Sequence, residues 1–212
     1  MNNNKKKLAI IGAGGHGSVA YDCAKISLEY ESVFFLDSNY PRKKNHKGLP
    51  IVDTFENFIS ASPPGIDYFV AIGDNQARKK LCETIIALKY PLATLIHPQA
   101  VVSDDVQIGA GALIMPGSVI NTGTTLGTGV IVNTCASVDH DNEISDFVHL
   151  APGTRLAGGV VVGECSMVGI GAIVVQNICI GSSVIVGAGA TVIHDVEASA
   201  KVVGTPAKKI KS

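Results

Sequence analysis

From Ile96 onward an aliphatic residue returns at every sixth position without a break: Ile96, Val102, Ile108, Ile114, Ile120, Leu126, Val132, Val138, Ile144, Leu150, Leu156, Val162, Val168, Val174, Ile180, Val186 and Val192. A period of six is neither the 3.6 of a helix nor the alternation of an independent strand; it is the hexapeptide period of a parallel β-helix. Three hexads then close one triangular coil, and successive coils stack about 4.8 Å apart through backbone hydrogen bonds, so the whole run reaches about 27 Å. The aliphatic position is expected to fill the axis. The next position is often Gly, Asn or Asp, as at Gly109, Asn121, Gly127, Asn133 and Asp139, and is expected to carry the positive φ of the corners. The fifth position is usually small or β-branched, from Ala112 and Ser118 to Ala190, as a tight corner requires.

The first part of the chain is patterned differently. Apolar runs at 8–11, 33–36 and 68–72 predict strands, and the segments 16–30 and 75–89 carry helical spacing, with Ala77, Leu81, Ile85 and Leu88 on one face. Strands alternating with helices predict a parallel sheet. The expected organisation is a small Rossmann-like α/β domain over 1–92 and a β-helix domain with a C-terminal tail over 93–212.

Candidate chemistry sits at the carboxyl edge of that sheet. "LAIIGAGGHG" runs a strand into Gly12, Gly14 and Gly17, where backbone N–H groups and a helix N-terminus favour a phosphate. Asp37 follows Gly17 by twenty residues, the place of a ribose-binding acid. "IGDN", with Asp74 and Asn75, closes the third strand on the same edge. Read alone, this is the pattern of an NAD-dependent oxidoreductase. A full dinucleotide fold needs two mononucleotide-binding halves, however, and the hexads begin by residue 96. A nucleotide diphosphate without a nicotinamide pocket, hence no NAD, is the expectation.

Composition narrows the partners. The 212 residues are 46% hydrophobic with a mean hydropathy of +0.31, as in a folded globular protein. With 23 Gly against six Phe, five Tyr and no Trp, the core is expected to be built of small aliphatic side chains. A net charge of −1 offers no footprint for nucleic acid or an anionic membrane. Cys23, Cys82, Cys135, Cys165 and Cys179 are odd in number and form no CxxC pair, so neither a disulfide framework nor a metal site is expected. The opening "MNNNKKKLAII" has too short an apolar run for a signal peptide, and no stretch is long enough to insert in a membrane, so the protein is expected to be cytoplasmic.

The blocks "GAGGHG" (12–17), "FLD" (35–37), "AIGDN" (71–75), "LIHP" (95–98), "VIVNTCASVDHD" (130–141), "SDFVHLAPG" (145–153) and "VVGTPAKKI" (202–210) resemble the bacterial hexapeptide-repeat sugar acetyltransferases. Nearest are the UDP-4-amino-sugar N-acetyltransferases of the bacillosamine pathway, and the resemblance covers essentially the whole chain. It implies a left-handed β-helix, acetyl-CoA as donor, a UDP-linked amino sugar as acceptor, and a homotrimer with active sites between subunits. It implies His140 as general base, oriented by Asp141, where the family members carry Glu. It places the nucleotide sugar against Gly14, Gly15, His16, Asp37, Asp74, Asn75 and Asn133. Acetyl-CoA would meet His149, the Gly158 N–H near its carbonyl, and then Ala188, Gly204, Pro206 and Lys208 or Lys209 toward its phosphates.

The residues themselves bear on this. A neutral imidazole with a pKa near 6.5 suits proton removal from an attacking amine, and a nearby N–H suits the developing oxyanion. On the hexad map His140 stands at position three, mid-face and pointing outward, whereas Asn133 and His149 approach a shared corner a face away. One subunit is therefore expected to be unable to gather all three. His16 either donates to the ligand or packs the loop; His97 marks the domain junction; His194 is structural; His46, in "NYPRKKNHKGLP", falls in a mobile loop. With no Cys–His pairing visible, direct transfer in a ternary complex is favoured over an acyl-enzyme. The alternatives are a sialic acid O-acetyltransferase, a GDP-4-amino-sugar N-acetyltransferase, the oxidoreductase, and a non-catalytic trimeric scaffold.

Overall fold

The structure, a computed structural model, describes residues 6–27, 29–61 and 65–210. The chain divides into two compact units, Met1–Leu95 and Ile96–Ser212.

In the first unit β1 (Lys6–Ile11), α1 (Gly15–Ser27), β2 (Tyr30–Leu36), β3 (Asn45–His46), β4 (Leu49–Asp53), α2 (Phe55–Ser60), β5 (Ile66–Val70) and α3 (Asn75–Ala87) form a sheet in the order β3-β4-β2-β1-β5. Pairing is parallel except between β3 and β4. Leu8, Ala9 and Ile10 are wholly buried and all five residues of β5 are buried, which is why these central strands read as apolar runs rather than alternating ones. Gly12 turns the chain with φ +105°, and Gly17 has no room for a side chain because its α-carbon lies against the Gly12 carbonyl oxygen. That contact lets α1 start directly above β1. The predicted strands and helices are present. The unit β3–β4–α2 was not anticipated: β4 carries Pro50 at its second position, and α2 is a six-residue helix announced only by its Thr54 cap. His46 is correspondingly not in a mobile loop; it belongs to β3, which pairs with β4.

The second unit is a left-handed parallel β-helix. Two-residue strands recur every six residues from β6 (Leu95–Ile96) to β22 (Thr191–Val192), in three parallel sheets. Partners lie eighteen residues apart; Ser137, for instance, stands between Val119 and Arg155. The aliphatic position points to the axis, and Ile114, Ile120, Val132, Val138 and Leu150 have no exposed surface. The fifth position is also internal, at Ala112, Ser118, Thr124, Ala136 and Asn142, each 0% exposed.

The corners differ from the expectation in one respect. Positive φ falls at the fourth position, at Gly111, Gly117, Gly123, Gly129, Cys135, Asp141 and Phe147, not at the second. Glycine recurs at position two for a different reason: a Cβ on Gly109 would lie 2.5 Å from the Gly127 carbonyl carbon, and one on Gly163 2.5 Å from the Ser182 nitrogen. The last coil is shorter. Ile180 bridges to Val196 and Val186 pairs with Val202, sixteen residues apart instead of eighteen. β23 (Lys201–Val203) then turns back into the antiparallel β24 (Lys208–Lys209).

Candidate active site

His140 and Asp141 are the two outer residues of the corner between β13 (Ser137–Val138) and β14 (Glu143–Ile144). His140 therefore stands on a corner rather than mid-face; the expected outward direction holds, and its side chain is 58% exposed. Asp141 adopts φ +58°, a conformation that Asp tolerates better than most residues. Its carboxylate turns back on the preceding ring, with Oδ2 2.8 Å from His140 Nδ1. The short Asp side chain thus spans the distance. On the coil below, Gly123 has no side chain where Asp141 Oδ1 lies.

Asp139, on the other flank, does not touch the ring. Its Oδ1 accepts from the His140 N–H at 2.9 Å and from Asn121 Nδ2 at 2.9 Å, and these bonds, Asn121 foremost, hold its carboxyl below the usual range. The hydrogen bond to Asp141 raises the His140 pKa above 6.5; desolvation, second in size, opposes it, and the charges of Asp139 and Asp141 add to the rise. With Nδ1–H committed to Asp141, the lone pair of the neutral ring is at Nε2. The ring lies over Gly158: a Cβ there would be 2.5 Å from both Nε2 and Cε1. Among the described residues no acceptor meets the Gly158 N–H. The exposed imidazole thus stands against the buried Gly158 of the next coil.

Asn133 Nδ2 lies 3.1 Å from His149 Nε2, joining a pair on adjacent coils, while Asn133 Oδ1 accepts from the Thr134 N–H at 2.8 Å. This is the shared corner that the hexad map anticipated. His140 occupies the next corner along the chain from Asn133, between β13 and β14.

In the first unit the glycine loop is held by Asp37, whose Oδ2 accepts from the Ala13 N–H at 2.7 Å and whose Oδ1 accepts from Asn39 N–H and Nδ2 at 2.9 and 2.8 Å. Partial burial pushes the Asp37 carboxyl up, but these bonds and the charge of Lys43 outweigh it and leave its pKa lowered. A hollow of about 120 Å³ opens beside it, bounded by Gly12, Asp37, Phe55, Ile72 and Leu81. Gly14 and Gly15 face open space at the start of α1. Asp74 is the cap of α3, accepting from the Ala77 N–H at 2.8 Å, and Asn75 Oδ1 accepts from Arg78 Nη2 at 2.8 Å. Arg78, fully buried, also donates to the Ile72 carbonyl at 3.0 Å, so "IGDN" is pinned from inside. Burial, with the charge of Arg78 second, lowers the His16 pKa to about 4 and keeps that ring neutral.

Sequence reasoning missed two residues here. His46 Nε2 reaches Ser18 Oγ at 2.8 Å and the Gly14 carbonyl at 3.1 Å, and Lys43 Nζ reaches the Ala13 carbonyl at 2.5 Å and His46 Nδ1 at 3.3 Å. The segment clamps the glycine loop; its lysines and turn residues disguised it as solvated chain.

At the other end, Ala188 and Lys208 are exposed, Gly204 takes φ +91°, Pro206 follows it, and Lys209 pairs with Glu197 at 3.0 Å. His97, whose Nδ1 accepts from the Gln99 N–H, opens the second unit, and His194 lies exposed in its shortened last coil. All five cysteines are free thiols. Among the described residues no group of His, Cys, Asp and Glu could hold a metal, and no helix is long and apolar enough to cross a membrane.

Residues 7–85 match the PglD N-terminal domain family. The chain is 32% identical over 213 residues to a GDP-perosamine N-acetyltransferase of Escherichia coli O157:H7, covering 95% of each protein. The chain belongs to the hexapeptide-repeat sugar N-acetyltransferases. It is also 38% identical over 115 residues to a UDP-N-acetylbacillosamine N-acetyltransferase of Bacillus subtilis, spanning 52% of this chain and 51% of that protein. The acetyltransferase domain of PglB from Neisseria gonorrhoeae FA1090 in complex with acetyl coenzyme A superposes with a TM-score of 0.93 at 40% identity, covering 98% of this chain and 100% of that one. Sugar N-acetyltransferases of this family use acetyl-CoA as donor, and the O-acetyltransferase, oxidoreductase and scaffold readings of the sequence have no counterpart among these relatives.

Proposed function

We propose that this enzyme transfers the acetyl group of acetyl-CoA to the 4-amine of a UDP-linked deoxyamino sugar, in one step, with His140 as general base. The observation that carries the reading is the His140–Asp141 bond on an exposed corner, with Nε2 held over Gly158. The amine nitrogen attacks the thioester carbonyl while Nε2 takes one of its protons. The Gly158 N–H, lacking an acceptor of its own, meets the negative oxygen of the tetrahedral intermediate. Collapse breaks the C–S bond, and the proton on His140 is available to the departing CoA thiolate, which returns the base to its starting state. Asp141 stabilises the imidazolium in between.

The nucleotide part of the acceptor is assigned to the glycine loop and the hollow beside Asp37, and CoA to the later coils toward Gly204, Pro206 and Lys208. Because Asn133 and His149 sit a corner away from His140, the pocket is assigned to a groove between copies of the chain in a trimer. A GDP-linked 4-amino sugar is the second reading, favoured by the GDP-perosamine enzyme that matches nearly the full length.

Incubation with acetyl-CoA and either UDP- or GDP-linked 4-amino sugar, followed by free thiol release, tests both. Turnover with the UDP sugar supports the first reading, and turnover with the GDP sugar alone replaces it with the second. His140→Ala should lower kcat on the order of 10²- to 10⁴-fold, the range of a lost general base, with the oligomer unchanged in sedimentation. Near-normal turnover in that variant removes His140 from the chemistry.

A further inference from the structure

At the fifth position of the corner that carries His140 the repeat departs from its own rule. The column of inward corner residues runs Val106, Thr124, Asn142, Val160, Ile178, and only at Asn142 does it hold a side-chain amide, with separate donor and acceptor atoms. Asn142 is fully buried. Its Nδ2 lies 2.6 Å from the Asp139 carbonyl, 3.2 Å from the His140 carbonyl and 3.1 Å from the Ala157 carbonyl on the next coil, and its Oδ1 accepts from the Val160 N–H at 3.1 Å. From the coil below, Thr124 Oγ1 donates to the same Asp139 carbonyl at 3.0 Å. One amide thus grips the backbone on either side of the catalytic corner and, above it, the residues that flank Gly158 and Gly159.

We propose that Asn142 is a positioning residue for acetyl transfer, fixing the height of the His140 corner against the Gly158 peptide so that base and oxyanion donor stay in register. The proposal rests on the reading of His140 as the base. An apolar residue of similar volume fills the same space; the Asp139 carbonyl keeps Thr124 Oγ1 and the His140 carbonyl keeps the Gly159 N–H, but the Ala157 carbonyl and the Val160 N–H lose the amide that joins them to the corner, and buried backbone groups do not stay unpaired if the chain can shift. The shift falls on the corner, since the axis is packed on both sides. Displacements on the order of 1 Å at reacting groups reduce rate by about 10²-fold without touching substrate.

Buried polar side chains stitch coils elsewhere. Ser166 Oγ, on another corner, donates to the Gly181 carbonyl at 2.7 Å and accepts from the Val184 N–H at 2.9 Å. That residue separates a general stabilising role from a positional one. The charges facing His140 are Asp139 and Asp141 on its own corner; the coil below presents Asn121 and Gly123, with Asp105 beneath them bonded to Thr122 Oγ1 and the Gly123 N–H, and the coil above presents only Gly158 and Gly159. Loosening the corner therefore weakens the Asp141 contact, and among the described residues no other carboxylate is placed to replace it.

Asn142→Leu should lower kcat at least about tenfold while KM for both substrates stays within about twofold, and the acid limb of the kcat/KM profile should move down toward pH 6.5. Ser166→Ala should lower Tm without moving that limb. Asn142→Thr, which can donate to the Asp139 carbonyl as Thr124 does, should fall between wild type and Asn142→Leu and decides the matter if Asn142→Leu does not fold. Wild-type kcat and an unmoved limb in the folded variant, whatever its Tm, overturn the proposal. Full activity in His140→Ala would instead overturn the base assignment, so the two failures are distinguishable.

Discussion

A carboxylate 2.8 Å from His140 Nδ1 decides where the ring titrates. The Asp141 hydrogen bond and the neighbouring negative charges favour the imidazolium, so the His140 pKa lies above 6.5. Only the neutral ring accepts a proton, hence kcat/KM should rise with pH through a limb above 6.5. Asp141→Asn isolates this effect, because Asn also tolerates the left-handed backbone found at φ +58°. The variant should show its limb displaced to lower pH and its plateau rate reduced at least about tenfold, within the contribution of an oriented base. A pH series of thiol-release rates measures both, and a limb that stays in place would mean that another group titrates there. The dyad was legible as "DHD" and the family resemblance pointed to Asp141, but the residues alone did not say which aspartate serves the ring: both flank it in sequence, and the positive φ of Asp141 turns one carboxylate back while Asp139 is spent on backbone and Asn121.

At the scale of elements, the hexads were legible because the aliphatic residue must point to the axis on every rung, and each such position that is buried removes a side chain from water for about 1.5–3 kcal/mol. The corners were less so, since glycine answers two different demands that look alike in sequence. At position two it admits the backbone of the next coil; at position four it supplies positive φ, a role that Cys135, Cys165, Asn177 and Ser183 also fill. Gly163→Ala therefore collides with the Ser182 nitrogen and should cost about 1–3 kcal/mol. Gly171→Asn, at φ +64° with open space around it, should cost no more than about 1 kcal/mol. Thermal melts should separate the two by several degrees; equal losses would mean that the corners are limited by conformation alone. In the α/β unit the main strands and helices followed from apolar runs, whereas β4, α2 and the clamp of Lys43 and His46 did not. Their order depends on what they pack against, and a lysine that reaches the Ala13 carbonyl reads in sequence like any solvated lysine.

For the whole molecule the geometry behind the proposed trimer is that His140 and the Asn133–His149 pair occupy different corners of the β-helix; in that proposal a groove that uses both draws them from two chains. In a cyclic trimer every site then takes its base from one subunit and its pair from the next, always in the same sense. Two inactive variants, His140→Ala and His149→Ala, each purified alone, carry complementary defects. When they are unfolded together and refolded as an equal mixture, a site works only if the subunit giving the base is the His149→Ala chain and its neighbour is the His140→Ala chain. Random assembly meets that condition in about one site in four, so about a quarter of wild-type activity should return. If each chain carried its whole site, every site would keep one defect and mixing would restore nothing. Thiol release measured before and after mixing, normalised to wild type taken through the same refolding, therefore reads directly whether the imidazole and the corner pair of one working site come from one chain or from two.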